Sequence, residues 1–212
     1  MAFEPTPVAS KNNFKALLWH AGFLALAQNF IDIDTIIPAM LIESGGTAIH
    51  VGMLTAIMLG GSSFTQLIFA PFISNFSYKK KFLLTGINAR ILALLAMAAM
   101  LYFSTRLPGA TIIALIFLLI TIFSLGGAFA NISFTDFLGK SLLKDARKTF
   151  FSSRQIITGL ILLASAFIAK KVLSAFDYPI NYAWMFFIGF FALSIASLGF
   201  WNLKETVPST LK

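Results

Sequence analysis

Gln28, Asn29, Asp32 and Thr35 recur at helical spacing inside an otherwise apolar run, where a carboxylate has few chemical options. At 100° per residue they lie with Ile36 within about 60° of Asp32 on one helix face, whereas Asp34 points nearly opposite. A charge at a bilayer centre costs about 2.5–3.5 kcal/mol on insertion scales, so such a group faces water, a partner or a bound species. The chemistry to expect is polar contact with a solute or reversible protonation, with Asp32 as the coupling carboxylate. The competing account is a polar cluster at the outer end, partly solvated where Pro38 loosens the helix. Arg90 lies nine residues beyond Lys81, about 13 Å into its own apolar stretch. There it either snorkels toward inner phosphates or forms a buried ion pair. Asp32 is one partner by charge, although its depth differs from that of Arg90 by roughly 12 Å. Asp136 is the other, with Lys140 four residues on as its competing partner.

Other chemistries are poorly served. Gly139-Lys140-Ser141 looks like the end of a phosphate-binding loop, but Phe134 stands where the required first glycine belongs. His20 and His50 have no His or Cys neighbours at ligand spacing, and the chain has 0 Cys, so no metal site is expected. No nucleophile elbow or zinc helix is present, and the sequence calls for neither an enzymatic activity nor a cofactor.

The elements that must position these residues are long and apolar. With 58% hydrophobic residues, 24 Phe and 11% charged residues, the chain is too apolar for a soluble domain of its size. A spanning helix needs about 20 apolar residues, and six stretches qualify. They run at 16–41, 51–74, 82–103, 110–137, 155–173 and 182–201, joined by short connections and one of 17 residues from Leu138 to Arg154. The expected fold is an all-α integral membrane bundle over 16–201, with tails at 1–15 and 202–212. No cleavable leader is visible in the first residues.

Charge orients the bundle. With the N-terminus in the cytoplasm, 12 of the 16 Lys and Arg, among them Lys11, Lys15, Lys79, Lys80, Lys81, Lys140, Lys144, Arg147, Lys148, Arg154, Lys204 and Lys212, fall on the inner side. Arg106, Lys170 and Lys171 fall outside. This bias places both termini in the cytoplasm and the protein in an inner membrane. Every Trp and Tyr then sits near an interface: Trp19, Tyr78 and Trp201 on the inner side, Tyr102, Tyr178, Tyr182 and Trp184 on the outer. The net charge of +8 is thereby explained without a nucleic-acid partner.

In the second stretch Gly52, Ala56 and Gly60 recur at spacing four, as Gly126 and Ala130 do in the fourth, a pattern for close helix packing. Gln66 and Ser62, one turn apart, either line an aqueous cavity or bond a neighbouring helix.

Together these features resemble the N-terminal half of a major facilitator superfamily transporter. The run Ala70-Pro71-Phe72-Ile73-Ser74-Asn75-Phe76-Ser77-Tyr78-Lys79-Lys80-Lys81 sits where that family has its G-x-x-x-D-R-x-G-R-R loop, with Ser74 in place of the Asp and Ser77 of the second Gly. Asp136 followed by Lys144, Arg147 and Phe150-Phe151-Ser152-Ser153-Arg154 is similar to the family's entry to helix five, and Leu203-Lys204-Glu205-Thr206 to the exit from helix six. The family's R-x-x-x-G in helix four is absent. The resemblance implies a 3+3 inverted-repeat bundle, half of a twelve-helix fold that works by alternating access. It implies helices one and four facing the solute, hence Gln28, Asn29, Asp32 and Asn131 as cavity residues beside Gln66. Lys79, Lys80, Lys81, Arg147 and Arg154 would form a cytoplasmic gate. The partners implied are the lipid bilayer, a small solute, a coupling proton or other ion, and a second six-helix half or a second copy. The alternatives are a non-transport scaffold or assembly factor using the 138–154 connection for docking, and a membrane-embedded enzyme.

Overall fold

In the computed structural model, which describes residues 5–76 and 78–205, the first apolar stretch is two helices rather than one. Helix α1 (Pro7–Gln28) stops before Asp32, and α2 (Ile36–Glu43) begins after Thr35. The cause is local. Asp32 Oδ1 accepts from the backbone N–H of Thr35 at 2.8 Å and of Asp34 at 3.1 Å, and from Thr35 Oγ1 at 2.6 Å. Such a turn competes with the helical hydrogen bonds the same groups would make. Pro38, which has no N–H, then falls in the first turn of α2, where no intrahelical donor is required. The continuous helix expected over 16–41 is therefore corrected to a broken one. The tail is corrected too, since α1 is helical from Pro7 behind a Thr6 cap that accepts from Ala9 N at 3.3 Å. Ser77, Thr206 and Lys212, which entered the sequence reading, lie outside the described residues.

The remaining stretches are continuous rods. They are α3 (Ala48–Ser74), α4 (Lys80–Tyr102), α5 (Gly109–Ser141), α6 (Lys144–Ala175) and α7 (Ile180–Trp201), and all five are long and apolar enough to cross a membrane. The chain is an all-helical, multi-pass membrane protein in character. Helices α5 and α6 have 33 and 32 residues and take up the 138–154 connection, leaving only Leu142 and Leu143 between them. Helix α3 carries a π-helical segment at Ala56–Gly61. Ser124 Oγ of α5 donates to the Ile57 and Met58 carbonyls of that segment at 3.1 and 3.4 Å, supplying a partner where the backbone ladder is disturbed.

Helix α4 is central, packing on α5 and α7; α1 packs on α7 and α6, α3 on α5, and α6 more lightly on α7. In lipid there is little hydrophobic drive between helices, so close backbone approach carries the association. A Cβ added to Gly86 of α4 would lie 2.5 Å from the Gly126 carbonyl oxygen and 2.7 Å from Ala130 N of α5. Gly199 of α7 likewise abuts the Ala16 carbonyl of α1. The expected pairing role of Gly126 and Ala130 is thus visible. The matching role of Gly52, Ala56 and Gly60 is not, because a Cβ at Gly52 or Gly60 would meet nothing within 4 Å. Helices α3 and α6 are flanks: 11% of the most apolar window of each is buried, against 39–56% for the other three rods.

Candidate functional site

Arg90 is four residues from Gly86, so it shares the α4 face that meets α5. Gly126 makes room for it there, a Cβ at that position falling 3.1 Å from Arg90 Cγ, while Gly127 faces the guanidinium at ordinary contact distance. The guanidinium carbon lies 4.2 Å from the centroid of the Phe123 ring, a contact worth about 0.5–2 kcal/mol. Its Nε is buried with no hydrogen-bond partner. Both ion pairs considered for Arg90 are corrected. Asp32 Oδ1 is held in its own turn, and Asp136 lies 3.3 Å from Lys79 Nζ and 2.7 Å from Lys140 Nζ.

His20, from the buried face of α1, faces the same interior. Its Nδ1 is 3.1 Å from the Ala196 carbonyl oxygen; a carbonyl only accepts, so Nδ1 carries the proton. The ring stacks on Phe200 at 3.6 Å. His20, Arg90, Asn131, Phe134, Arg154 and Phe200, from five different helices, line one cavity of about 130 Å³. Two guanidinium groups and an amide supply hydrogen-bond donors to it, and no carboxylate lines it. Asn131 is exposed and Arg154 half-buried, so the cavity's accessible side is at α5 and α6, while Arg90 forms its depth.

The other residues singled out from sequence are dispersed. Asn29 Nδ2 donates to the Leu162 carbonyl at 2.6 Å and Ser165 Oγ at 2.7 Å, fastening the end of α1 to α6. With Thr35 and Lys170 it borders a separate open groove. Gln28 is exposed, and neither it nor Asp32 lines the cavity or the groove. Gln66 Nε2 reaches Ser62 Oγ at 3.5 Å within α3. One shared cavity for Gln28, Asn29, Asp32, Gln66 and Asn131 is therefore corrected: of the five only Asn131 lines it, Asn29 being tied to α6, Asp32 folded into its own turn and Gln66 bonded within α3.

Four of the five basic residues expected at a gate are engaged at one end of the bundle. Lys79 pairs with Asp136, Lys80 Nζ donates to the carbonyls of Trp201 and Leu203 at 2.7 and 2.8 Å, and Lys81 lies over the Phe76 and Phe82 rings. Arg147 donates to the Leu142 and Gly139 carbonyls at the end of α5. Arg154 alone of the five lines the cavity. Glu205 was not singled out from sequence. Its two carboxylate oxygens accept from Lys79 N at 2.8 Å and Lys80 N at 3.1 Å, capping the positive end of α4. Asn13 completes this end, bridging the Ser141 and Lys204 carbonyls. Because Asp136 and Lys140 remain about a third exposed, Lys140→Met, which leaves the Lys79–Asp136 pair intact, is expected to lower the melting temperature by the equivalent of 1 kcal/mol or less, about the ceiling for such pairs. A fluorescence melt checks this.

Comparisons with known protein families, curated proteins and solved structures return no match to this chain.

Proposed function

We propose that the chain is the N-terminal six-span half of a secondary transporter of the major facilitator type, moving a small solute by alternating access. The observation that carries this reading is the packing order. Exchange α1 and α2 with α5, α3 with α6, and α4 with α7. The α1–α6 contact then becomes α5–α3, the α1–α7 contact becomes α5–α4, and α4–α7 maps onto itself. The lighter α6–α7 contact has no counterpart of like extent. With successive spans alternating in direction, the first and fourth run oppositely, so this exchange supports an inverted 3+3 repeat, the plan on which rocking carriers are built.

Two further features support it. The first span is interrupted beside polar side chains, as spans that handle solutes and ions are. The flanking α3 and α6 have open glycines at Gly52, Gly60 and Gly159, which leave room for a second six-span unit or a second copy. On this reading the end carrying Lys79, Arg147 and Lys204 faces the cytoplasm, both termini lie inside, and the membrane is the inner one. The scaffold alternative loses its docking loop, because α5 and α6 absorb it.

The test is uptake from a metabolite panel into membrane vesicles containing this chain together with its second half. Saturable, gradient-dependent uptake of at least one solute above vector control is expected. Control-level uptake of every solute, with the protein folded in the membrane, would overturn the reading.

A further inference from the structure

From the charge inventory of the cavity we infer that its ligand is a small oxyanion, a carboxylate or phosphate group, gripped by Arg90 and Arg154. The inference rests on the cavity being the solute site. Two guanidinium groups from α4 and α6 converge on about 130 Å³ that no carboxylate lines, and Asn131 adds an amide donor. Arg90 lacks any hydrogen bond or ion pair among the described residues, and its Nε is sealed from solvent. The Phe123 ring is its one favourable charge contact, a weak substitute for the hydrogen bonds that a guanidinium fork makes to an oxyanion. A partly buried charge without a counter-charge is costly, and a bound anion is the species that compensates two half-buried guanidinium groups at once. A cation is disfavoured by the same field, and a neutral solute leaves the donors' charge unmet. The small volume limits the bound group to one or two functional groups, with His20 and Phe134 walling it. Gly126 is what admits the Arg90 side chain to this position, since a Cβ there would fall 3.1 Å from Arg90 Cγ.

The same chemistry is offered by a free anion and by a phospholipid headgroup, and the experiment separates them. The full chain is placed in nanodiscs of phosphatidylcholine and titrated with inorganic phosphate, succinate and choline at matched ionic strength, while its tryptophan fluorescence melt is followed. Phosphate or succinate is expected to raise the melting temperature saturably and choline to leave it unchanged. Arg90→Gln and Arg154→Gln are each expected to weaken the apparent Kd by about tenfold or more, equivalent to about 1.4 kcal/mol. Without ligand, Arg90→Gln is expected to melt at or above the wild type, since it removes an unpaired charge, and this shows that it folds. In a second arm, phosphatidylglycerol nanodiscs are analysed by native mass spectrometry. Retained phosphatidylglycerol that both substitutions release, without free-anion binding in the first arm, identifies a headgroup as the oxyanion.

Absence of both signals, competition by choline, or anion binding unchanged in both variants would overturn the inference. Binding is scored without transport. A chain that binds the anion but moves nothing removes the carrier reading and leaves this one. Uptake of an uncharged or cationic solute without anion binding does the reverse.

Discussion

Gly86→Ala is expected to destabilise the bundle by about 3 kcal/mol, the upper end of the usual cost of overpacking. The added methyl would sit 2.5 Å from the Gly126 carbonyl oxygen and 2.7 Å from Ala130 N. Both obstacles are backbone, so neither yields by a rotamer change; α4 and α5 must separate. That separation also withdraws α5 from Arg90, whose side chain packs on Gly126. Gly159→Ala in α6 is the control. Nothing lies within 4 Å of its added methyl, so the change is expected to be neutral or to gain up to about 1 kcal/mol of helix propensity. Thermal melts of the two variants in one detergent decide it. Similar loss in both would show that the glycine contacts of α4 do not hold the bundle together.

Asp32 gives the other large effect, and its geometry separates two roles. Oδ1 holds the interruption of the first apolar stretch, while Oδ2 has no hydrogen-bond partner among the described residues. Asp32→Asn keeps an acceptor at Oδ1 but cannot titrate. It is expected to preserve the melt and, on the proposed carrier reading, to reduce pH-gradient-driven uptake by the assembled protein to the level seen without a gradient. Asp32→Ala removes the acceptor as well and is expected to cost about 1–3 kcal/mol of stability besides. Gradient-driven uptake at wild-type level in Asp32→Asn would dismiss Asp32 as the coupling group and leave it a turn former.

The contrast between those residues also marks what the sequence made legible. Hydropathy locates five of the rods well, because a span of about 20 apolar residues is dictated by bilayer thickness. It fails at the first apolar stretch, where one side chain's hydrogen bonds outweigh the apolar run and where a helical wheel assigns Asp32 to a face that the broken helix does not possess. It also misjudges the entry to α6. Lys144 to Arg154 are too polar to cross lipid yet remain helical, since leaving the bilayer does not end a helix. Asp136 with Lys140 is readable from spacing four; its contact with Lys79 depends on how the α3–α4 connection folds back.

The cavity is the least legible feature. Arg90, Asn131 and Arg154 stand out singly as polar residues in or beside apolar stretches, but nothing in their spacing says that they meet. His20 is passed over because it lacks metal-ligand neighbours, although its position three residues beyond Leu17 on the buried face of α1 puts it in the interior. Their convergence is set by two backbone approaches, the reciprocal one of Gly86 and Gly126 between α4 and α5 and that of Gly199 in α7 on α1.

The central claim is that Asn131 borders a solute cavity that opens alternately to the two sides of the membrane. With 0 Cys in the chain, Asn131→Cys introduces a unique thiol. Its labelling by a membrane-impermeant maleimide, compared in right-side-out and inverted vesicles holding the assembled protein, reports access from each face. The account predicts labelling in both preparations. Labelling from one face alone, whatever solute or pH gradient is applied, would contradict it.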